Sequence, residues 1–543
     1  MTLVASVMLS LFLTIILIPV FSRLAVRLEV YDMPGPRKVH EQPVPRVGGL
    51  AMAIGAFVPI IFWVPLEDVT RAYLLGGVVL VAVGIIDDWR GLGYKTKFAG
   101  QILAALIAVF YGGVEITNLG SLLPEGMILA DWASLLLTVL VLVGVTNAIN
   151  LADGLDGLAG GISLLIFGCI GYLAYIEQDQ NIAILAVSMM GACIGFLRFN
   201  TFPATLFMGD TGSQLLGFSA AFFSLALTQG NTALSPLLPI IILGFPLLDT
   251  LAVMAQRIQQ GRSPFAADKN HFHHRLMRMG LFQTEAVFAI YVIQSLLIVF
   301  AYIFRFHSEW FLLLGYGFFC IVTVGTFTVA DRTGWKLKRF DVIDRVIKGR
   351  LRRLRGKRYV IRTSFGALEV GVPLLLIFMG FLPVAIPDYF SVLAGFLVAG
   401  ILLVFLLRRD WLKLALIYST YLFIPVLVYL GDTTTVPWMA GAPARIFLMI
   451  HLLLLLMALL TLRFTHRTKG FRPTPMDFLV LLFTLVLMVL PDLRIAYGLM
   501  AMKMILLYFC YEIILGEVRE SLGKVAVLTV GAFLVVMVRG LVG

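Results

Sequence analysis

Acids, amides and histidines able to handle phosphate or a metal ion are concentrated in five short segments of this 543-residue chain. Asp87 and Asp88 stand side by side in GIIDDWRGLGYKTKFAGQ, at the end of an apolar run. Two carboxylates there repel one another and oppose the negative end of a helix dipole, so something must compensate them. A metal, a phosphate substrate with its counter-ion, or Lys95 and Lys97 would serve; a solvated helix end is the plainer alternative. In NAINLADGLDGLAGG, Asn147, Asn150, Asp153 and Asp156 recur at every third position among glycines that permit tight turns. A glycine-capped helix end explains one Gly and one Asn, not four polar residues in register, so this segment points to function. FMGDTGS sets Asp210 and Ser213 at the start of another apolar run, where both are suitable N-caps. The same helix N-terminus favours an anion, and a carboxylate there can hold a cation bridging to phosphate. DKNHFHHRLMRMG gathers His271, His273 and His274 beside Arg275 and Arg278, which suits a zinc site or a diphosphate clamp. With no Cys nearby and no i, i+4 histidine pair, zinc is the weaker choice. Finally, YDMPGPRKVHEQPVPRVGG presents Arg37, Lys38, His40 and Arg46 from a loop that its prolines keep out of a continuous helix. Positive charge at a membrane surface explains that loop by itself, and Gly48 and Gly49 fit either helix packing or close approach to a ligand.

The elements that must carry these segments follow from composition. The chain is 60% hydrophobic and 13% charged, with mean hydropathy +0.97. A soluble domain carries about 25% charge, so a soluble enzyme is excluded. Apolar runs of about 17–22 residues match a hydrocarbon core of roughly 30 Å, whereas a β-barrel needs alternating strands of about 10. The expected fold is an all-α polytopic membrane protein. About eleven spans fall in residues 1–330, among them one continuous span over 235–256, and about seven more in 364–543. Between them, residues 331–362 hold thirteen Lys or Arg, read as an amphipathic helix on anionic lipid or as a solvated linker. Cys169, Cys193, Cys320 and Cys510 lie in apolar runs and read as small hydrophobes. The first apolar segment has no basic residue before Arg23 and reads as a retained span with its N-terminus outside. Loops after odd-numbered spans hold most of the Lys and Arg, so by the positive-inside rule they are cytoplasmic, and all five polar segments fall in them. The excess of +11 charges is therefore a topological signal rather than a nucleic-acid footprint.

The ordered set PxxRKxHxxPxPxxGG, DD, NxxNxxDGxDGL, FMGDxGS and HxHHRL resembles the polyprenyl-phosphate N-acetylhexosamine-1-phosphate transferases (glycosyltransferase family 4 type) over about residues 1–330. The HFHHRL and PRKxH forms look closer to the bacterial UDP-N-acetylglucosamine:undecaprenyl-phosphate branch than to the phospho-N-acetylmuramoyl-pentapeptide transferases, which stay an alternative. The resemblance implies a transferase module at residues 1–330 and does not cover 365–543; the basic linker at 331–363 and the further transmembrane module at 364–543 are read from charge and apolar runs alone. It implies transfer of a sugar-1-phosphate from a UDP-sugar to undecaprenyl phosphate with release of UMP, starting a cell-surface glycan such as O-antigen or a cell-wall polymer. It also implies a bacterial inner-membrane setting with the site on the cytoplasmic face, membrane lipid around it, room for a homodimer and no nucleic-acid partner. Mg2+, with Mn2+ as a substitute, is implied on Asn150 and Asp210. Catalytic roles fall by the same resemblance to Asp87, as general base or orienter of the lipid phosphate, to Asp88 in support, to Lys97 and to Asp156. Substrate-binding roles fall to Asn147, Asp153, Phe207, His271, His273, His274, Arg275, Arg37 and His40. A transporter or lipid flippase is the rival class. It would place ionisable residues near mid-membrane, where only Asp249 comes close in the first module, while Glu369, Lys503, Glu512 and Arg539 do so in the second.

Overall fold

The computed structural model describes residues 2–28, 31–32, 43–124, 127–230, 232–263, 270–336, 358–434, 436–464, 498–517 and 522–542. Arg37, His40, most of the basic 331–363 segment and the span expected near 476–490 lie outside the described residues. The described chain is helical apart from short turns and one antiparallel pairing of β1 (Tyr31–Asp32) with β2 (Val44–Pro45). Thirteen described helices are long and apolar enough to cross a membrane, which makes this a multi-pass membrane protein. Cys169, Cys193 and Cys510 are buried and unbonded among them, as small hydrophobes would be.

The helices form two compact units. The first contains α1 (Thr2–Leu28), α2 (Gly48–Trp63), α3 (Asp68–Arg90), α4 (Tyr94–Phe110), α5 (Asp131–Ala152), α6 (Leu158–Ile176), α7 (Gln180–Asn200) and α8 (Gly209–Thr228). It continues through α9 (Leu238–Ile242), α10 (Gly244–Gln259), α11 (Phe272–Arg278), α12 (Gln283–Ile303) and α13 (Glu309–Thr333). Helix α8 is its axis, buried over almost its whole length and packed on α2, α3, α5, α6 and α7. Lipid is as apolar as leucine, so hydrophobicity alone does not bring such helices together; close packing and interhelical hydrogen bonds do. Both are present. Tyr73 of α3 lies among Phe218, Phe222 and Phe223 of α8 and shares a 2.9 Å hydrogen bond with Ser219. Gln101 of α4 donates to Gln214 of α8 at 3.3 Å.

The continuous span expected over 235–256 is instead two helices, α9 and α10, broken at Leu243. Pro246 has no N–H to give the carbonyl of Ile242, so the helix cannot run on there. Backbone groups freed inside a membrane protein need partners. Gln294 of α12 donates to the Ile242 carbonyl at 2.7 Å, and Tyr316 of α13 to that of Gly244 at 2.8 Å.

The second unit contains α14 (Arg358–Phe381), α15 (Asp388–Leu407), α16 (Leu412–Thr433), α17 (Ala442–Phe464), α18 (Leu499–Glu517) and α19 (Leu522–Val542) around a core that includes Leu376, Phe423, Ile514 and Phe533. Three of the four ionisable residues expected within its apolar runs, Lys503, Glu512 and Arg539, have partners inside the unit, whereas Glu369 Oε1 is buried with no hydrogen bond among the described residues. Lys503 pairs with Asp432, Tyr421 donates to Glu512 at 2.6 Å, and Arg539 donates to the Gly380 carbonyl at 3.1 Å. Such internal bonds hold helices together.

Candidate active site

Helices α3, α5 and α7 end, and α4, α6 and α8 begin, at the same end of the first unit, and the polar segments meet there. Helix α3 stops because Gly91 takes a left-handed turn (φ 68°), which returns Leu92 N to Asp87 Oδ1 at 2.6 Å. The chain then enters α4, whose first turn lays Lys97 Nζ 2.7 Å from Asp87 Oδ2 and against Asp210, the second residue of α8. Asp87, Asp88 and Asp210 bring one oxygen each within 4.8 Å of one another. Two carboxylates at that spacing repel by about 3.5 kcal/mol at an effective dielectric of 20, so the closer Lys97 is what holds Asp87 and Asp210 together. Of the compensating groups considered for the Asp pair, the fold supplies Lys97; Lys95 is exposed. This set of hard oxygen donors could also hold a metal ion.

Asp88 does something the sequence did not announce. One of its oxygens accepts from Asp210 N at 2.9 Å, and the other from Thr211 N at 3.1 Å and Thr211 Oγ1 at 2.7 Å. It is thus the N-cap of α8, supplied from α3, and replaces the local cap expected of Asp210 or Ser213. Gly209 makes room for it, with φ 67° and a position where a Cβ would lie 2.4 Å from Asp88 Oδ2. Ser213 instead bonds Gly209 O at 3.0 Å and accepts from Asn150 Nδ2 at 2.7 Å, which sets Asn150 beside Asp210.

Backbone bonds join the first loop to the FMGD segment: Phe207 N to Pro45 O (2.9 Å), Gly48 N to Phe207 O (3.0 Å) and Gly49 N to Met208 O (2.9 Å). A Cβ on Gly49 would stand 2.1 Å from Gly212 N, so this glycine serves helix packing, one of the two readings open from sequence. Phe207 is half-buried beside Arg46.

Asn147 is half-buried one turn before Asn150 on α5, and Asp153 caps that helix. Burial first, then the charges of Asp210, Asp156 and Asp88, push the Asp153 carboxyl up to about 7. Asp156 accepts from Ala204 N at 2.9 Å. Two residues that sequence reasoning passed over brace this turn. Asn200 accepts from Gly157 N at 2.9 Å and donates to Leu206 O at 2.8 Å, while Tyr291 of α12 donates to Gly157 O at 2.7 Å. Asn200, polar at the end of an apolar run, left a trace in the sequence; Tyr291, an aromatic within one, left none.

The histidines arrive on the short helix α11. His271 Nδ1 lies 3.0 Å from Asp249 Oδ2, and His271 stacks on His273. His274 packs against His273, and Arg275 donates to Gln256 Oε1 at 2.6 Å. Among the described residues His273 Nε2 is buried without a hydrogen-bond partner, and it sits so close to Gly154 that a Cβ there would be 2.6 Å away, which links the histidine segment to the Asp153 turn. Burial, then the neighbouring His274, lowers the His273 pKa to about 3. The folded protein therefore refuses a proton that the unfolded chain accepts near 6.5, and stability rises with pH between about 3 and 6.5 and is level above. Acidification from pH 6.5 to 5 should cost up to about 2 kcal/mol at this residue. His273→Gln should flatten that limb of a thermal-unfolding profile; an unchanged acid slope would refute the assignment.

Acids able to hold a cation, the lysine that bridges two of them, a braced Asp turn and a His/Arg helix are gathered at the ends of membrane spans, an arrangement suited to phosphate chemistry. A sequence model of glycosyl transferase family 4 matches residues 70–228, within the first unit. The chain is 35% identical over 352 residues to the probable undecaprenyl-phosphate N-acetylglucosaminyl 1-phosphate transferase of Bacillus subtilis strain 168, covering 64% of this chain and 97% of that protein. It is 31% identical over 365 residues to the undecaprenyl-phosphate alpha-N-acetylglucosaminyl 1-phosphate transferase of Escherichia coli K12, covering 65% and 97%. It is also 38% identical over 304 residues to the decaprenyl-phosphate N-acetylglucosaminephosphotransferase of Mycobacterium leprae, covering 50% and 75%. The chain belongs to glycosyl transferase family 4.

Proposed function

We propose that this protein transfers N-acetylglucosamine-1-phosphate from UDP-N-acetylglucosamine to a polyprenyl phosphate of the bacterial inner membrane, releasing UMP at the cytoplasmic face. The observation that carries this reading is the Asp87–Lys97–Asp210 cluster at the ends of spanning helices, where a soluble and a membrane-bound phosphate can both arrive. The names of the relatives support the sugar and the acceptor class. Residues 1–330 would carry the activity, and 364–543 would be an accessory module.

Both reacting groups are anionic, so catalysis is mostly positioning and charge stabilisation. A lipid phosphate monoester has a second pKa near 6 and is largely dianionic at pH 7, so it needs no strong base. Its oxygen attacks the sugar-bearing phosphorus of the donor, and the bond to the UMP oxygen breaks. Asp87, occupied by Lys97 and Leu92 N, acts as an orienter that holds Lys97 against the phosphates. Asp210 and Asn150 would hold Mg2+, which neutralises diphosphate charge when bound. Asp88 keeps the α8 N-terminus and hence Asp210 in place, and Asp156 fixes the neighbouring turn. Asn147, Asp153 and Phe207 would receive the uridine, and the His271–Arg275 segment the diphosphate or sugar.

The test is UMP release by the purified protein in vesicles containing undecaprenyl phosphate, across a panel of UDP-sugars with and without Mg2+. Acceptor-dependent release with UDP-N-acetylglucosamine is expected. Release without acceptor, or none with any UDP-sugar, would overturn the proposal. A chain ending at residue 362 is expected to retain the activity, and its loss in a folded truncation would bring the second module into the reaction.

A further inference from the structure

Helix α11, of seven residues, is too short to hold its own direction. Phe327 and Asp331 of α13 hold one side of it, by stacking on Phe272 and by ion pairs with Arg275 and Arg278, and α10 holds another. Asp249, 4% exposed, uses one oxygen to accept from Phe272 N at 2.8 Å and the other to meet His271 Nδ1 at 3.0 Å. Two turns further along α10, Gln256 takes Arg275 at 2.6 Å. One face of α10 therefore anchors both ends of the histidine segment. A carboxylate on Nδ1 also decides the chemistry of the ring. It selects the form with a proton on Nδ1, so that Nε2 is the nitrogen left for a ligand.

We propose that Asp249 is a positioning residue of this site: it sets the tautomer and orientation of His271 toward the anionic substrate, besides capping α11. The inference rests on the transferase reading above and deepens it. His271 is 6% exposed, so its ring has little freedom to find another partner, and the orientation imposed by Asp249 is the one the substrate meets. The sequence shows Asp249 only as an acid within an apolar run; its partner lies 22 residues on.

Asp249→Asn separates the two roles, because the amide oxygen can still accept from Phe272 N while the charge on Nδ1 is gone. In the full-length protein this change should lower kcat/KM for UMP release by about 10- to 100-fold, the range for a lost charge-assisted hydrogen bond. In a His271→Gln background the same change should cost less than about threefold, since its effect passes through His271. Histidine 15N spectra should show the ring with a protonated Nδ1 in the wild type and its loss in Asp249→Asn. Should the Asn variant fold poorly, Asp249→Glu, which restores the charge, must outperform it in activity per folded molecule. Equal costs in the two backgrounds, an unchanged tautomer, or a Glu variant no better than Asn would overturn the proposal. A wild-type protein that releases no UMP would instead fail the transferase reading itself.

Discussion

Asp210→Asn should reduce turnover at saturating substrates by at least about 10³-fold while leaving the helices assembled. The side chain is isosteric, and Asp88 still accepts from the backbone N–H groups of residues 210 and 211, so α8 keeps its cap. What disappears is one of the carboxylates that Lys97 bridges and an anionic oxygen for a divalent ion. Losing a fixed group that acts on developing charge costs about 10²–10³ in kcat, and weakening a cation's hold adds to that. The requirement for added Mg2+ should therefore rise. Lys97→Met sharpens the test, because it acts in the opposite sense on the cation. With the ammonium gone the carboxylates draw a divalent ion more strongly, yet the substrate phosphates lose a positive partner. Turnover should fall about 10²-fold while the Mg2+ requirement falls rather than rises. Near-wild-type turnover in Asp210→Asn, or the same Mg2+ shift in both variants, would remove this cluster from the mechanism.

The polar residues were conspicuous in the sequence because the chain offers so few, and the helices because each is an apolar run of membrane length. Spacing showed that Asn147, Asn150, Asp153 and Asp156 belong together. It did not show that Asp88 would turn away from its neighbour to cap α8, because a carboxylate's partner across 122 residues leaves no local pattern. Asp249 was hidden in the same way, and so was the division of its span. There the apolar run reads as one helix, and nothing in it shows that Gln294 of α12 and Tyr316 of α13 donate to the Ile242 and Gly244 carbonyls on either side of the break. Tyr291 was the least legible, since nothing distinguishes a tyrosine that holds a turn from one that fills a core until the turn is beside it. What the sequence withheld was the set of contacts between elements, and it is these that place the chemical groups.

Gly49→Ala is the clearest case of a group that touches no substrate and yet should matter greatly. The added methyl would stand 2.1 Å from Gly212 N and 2.7 Å from Met208 O, all of it backbone, so no side chain can swing aside. Either α2 or the first turn of α8 must move by about 1 Å or more to restore a normal contact. Asp210 rides on that turn, two residues from each of the crowded positions. A misplacement of about 1 Å can cost about 10²-fold in rate, so kcat/KM should drop at least that much with the donor and acceptor sites otherwise intact. Gly93→Ala is the matched control. It lies four residues from Lys97, its Cβ would meet nothing within 4 Å, and its φ of −68° suits any residue, so activity should be unchanged. Measured side by side for UMP release, a large loss at residue 49 with none at 93 would tie catalysis to the α2–α8 contact. A Gly49→Ala enzyme as active as the wild type would mean that Asp210 need not be held by that contact.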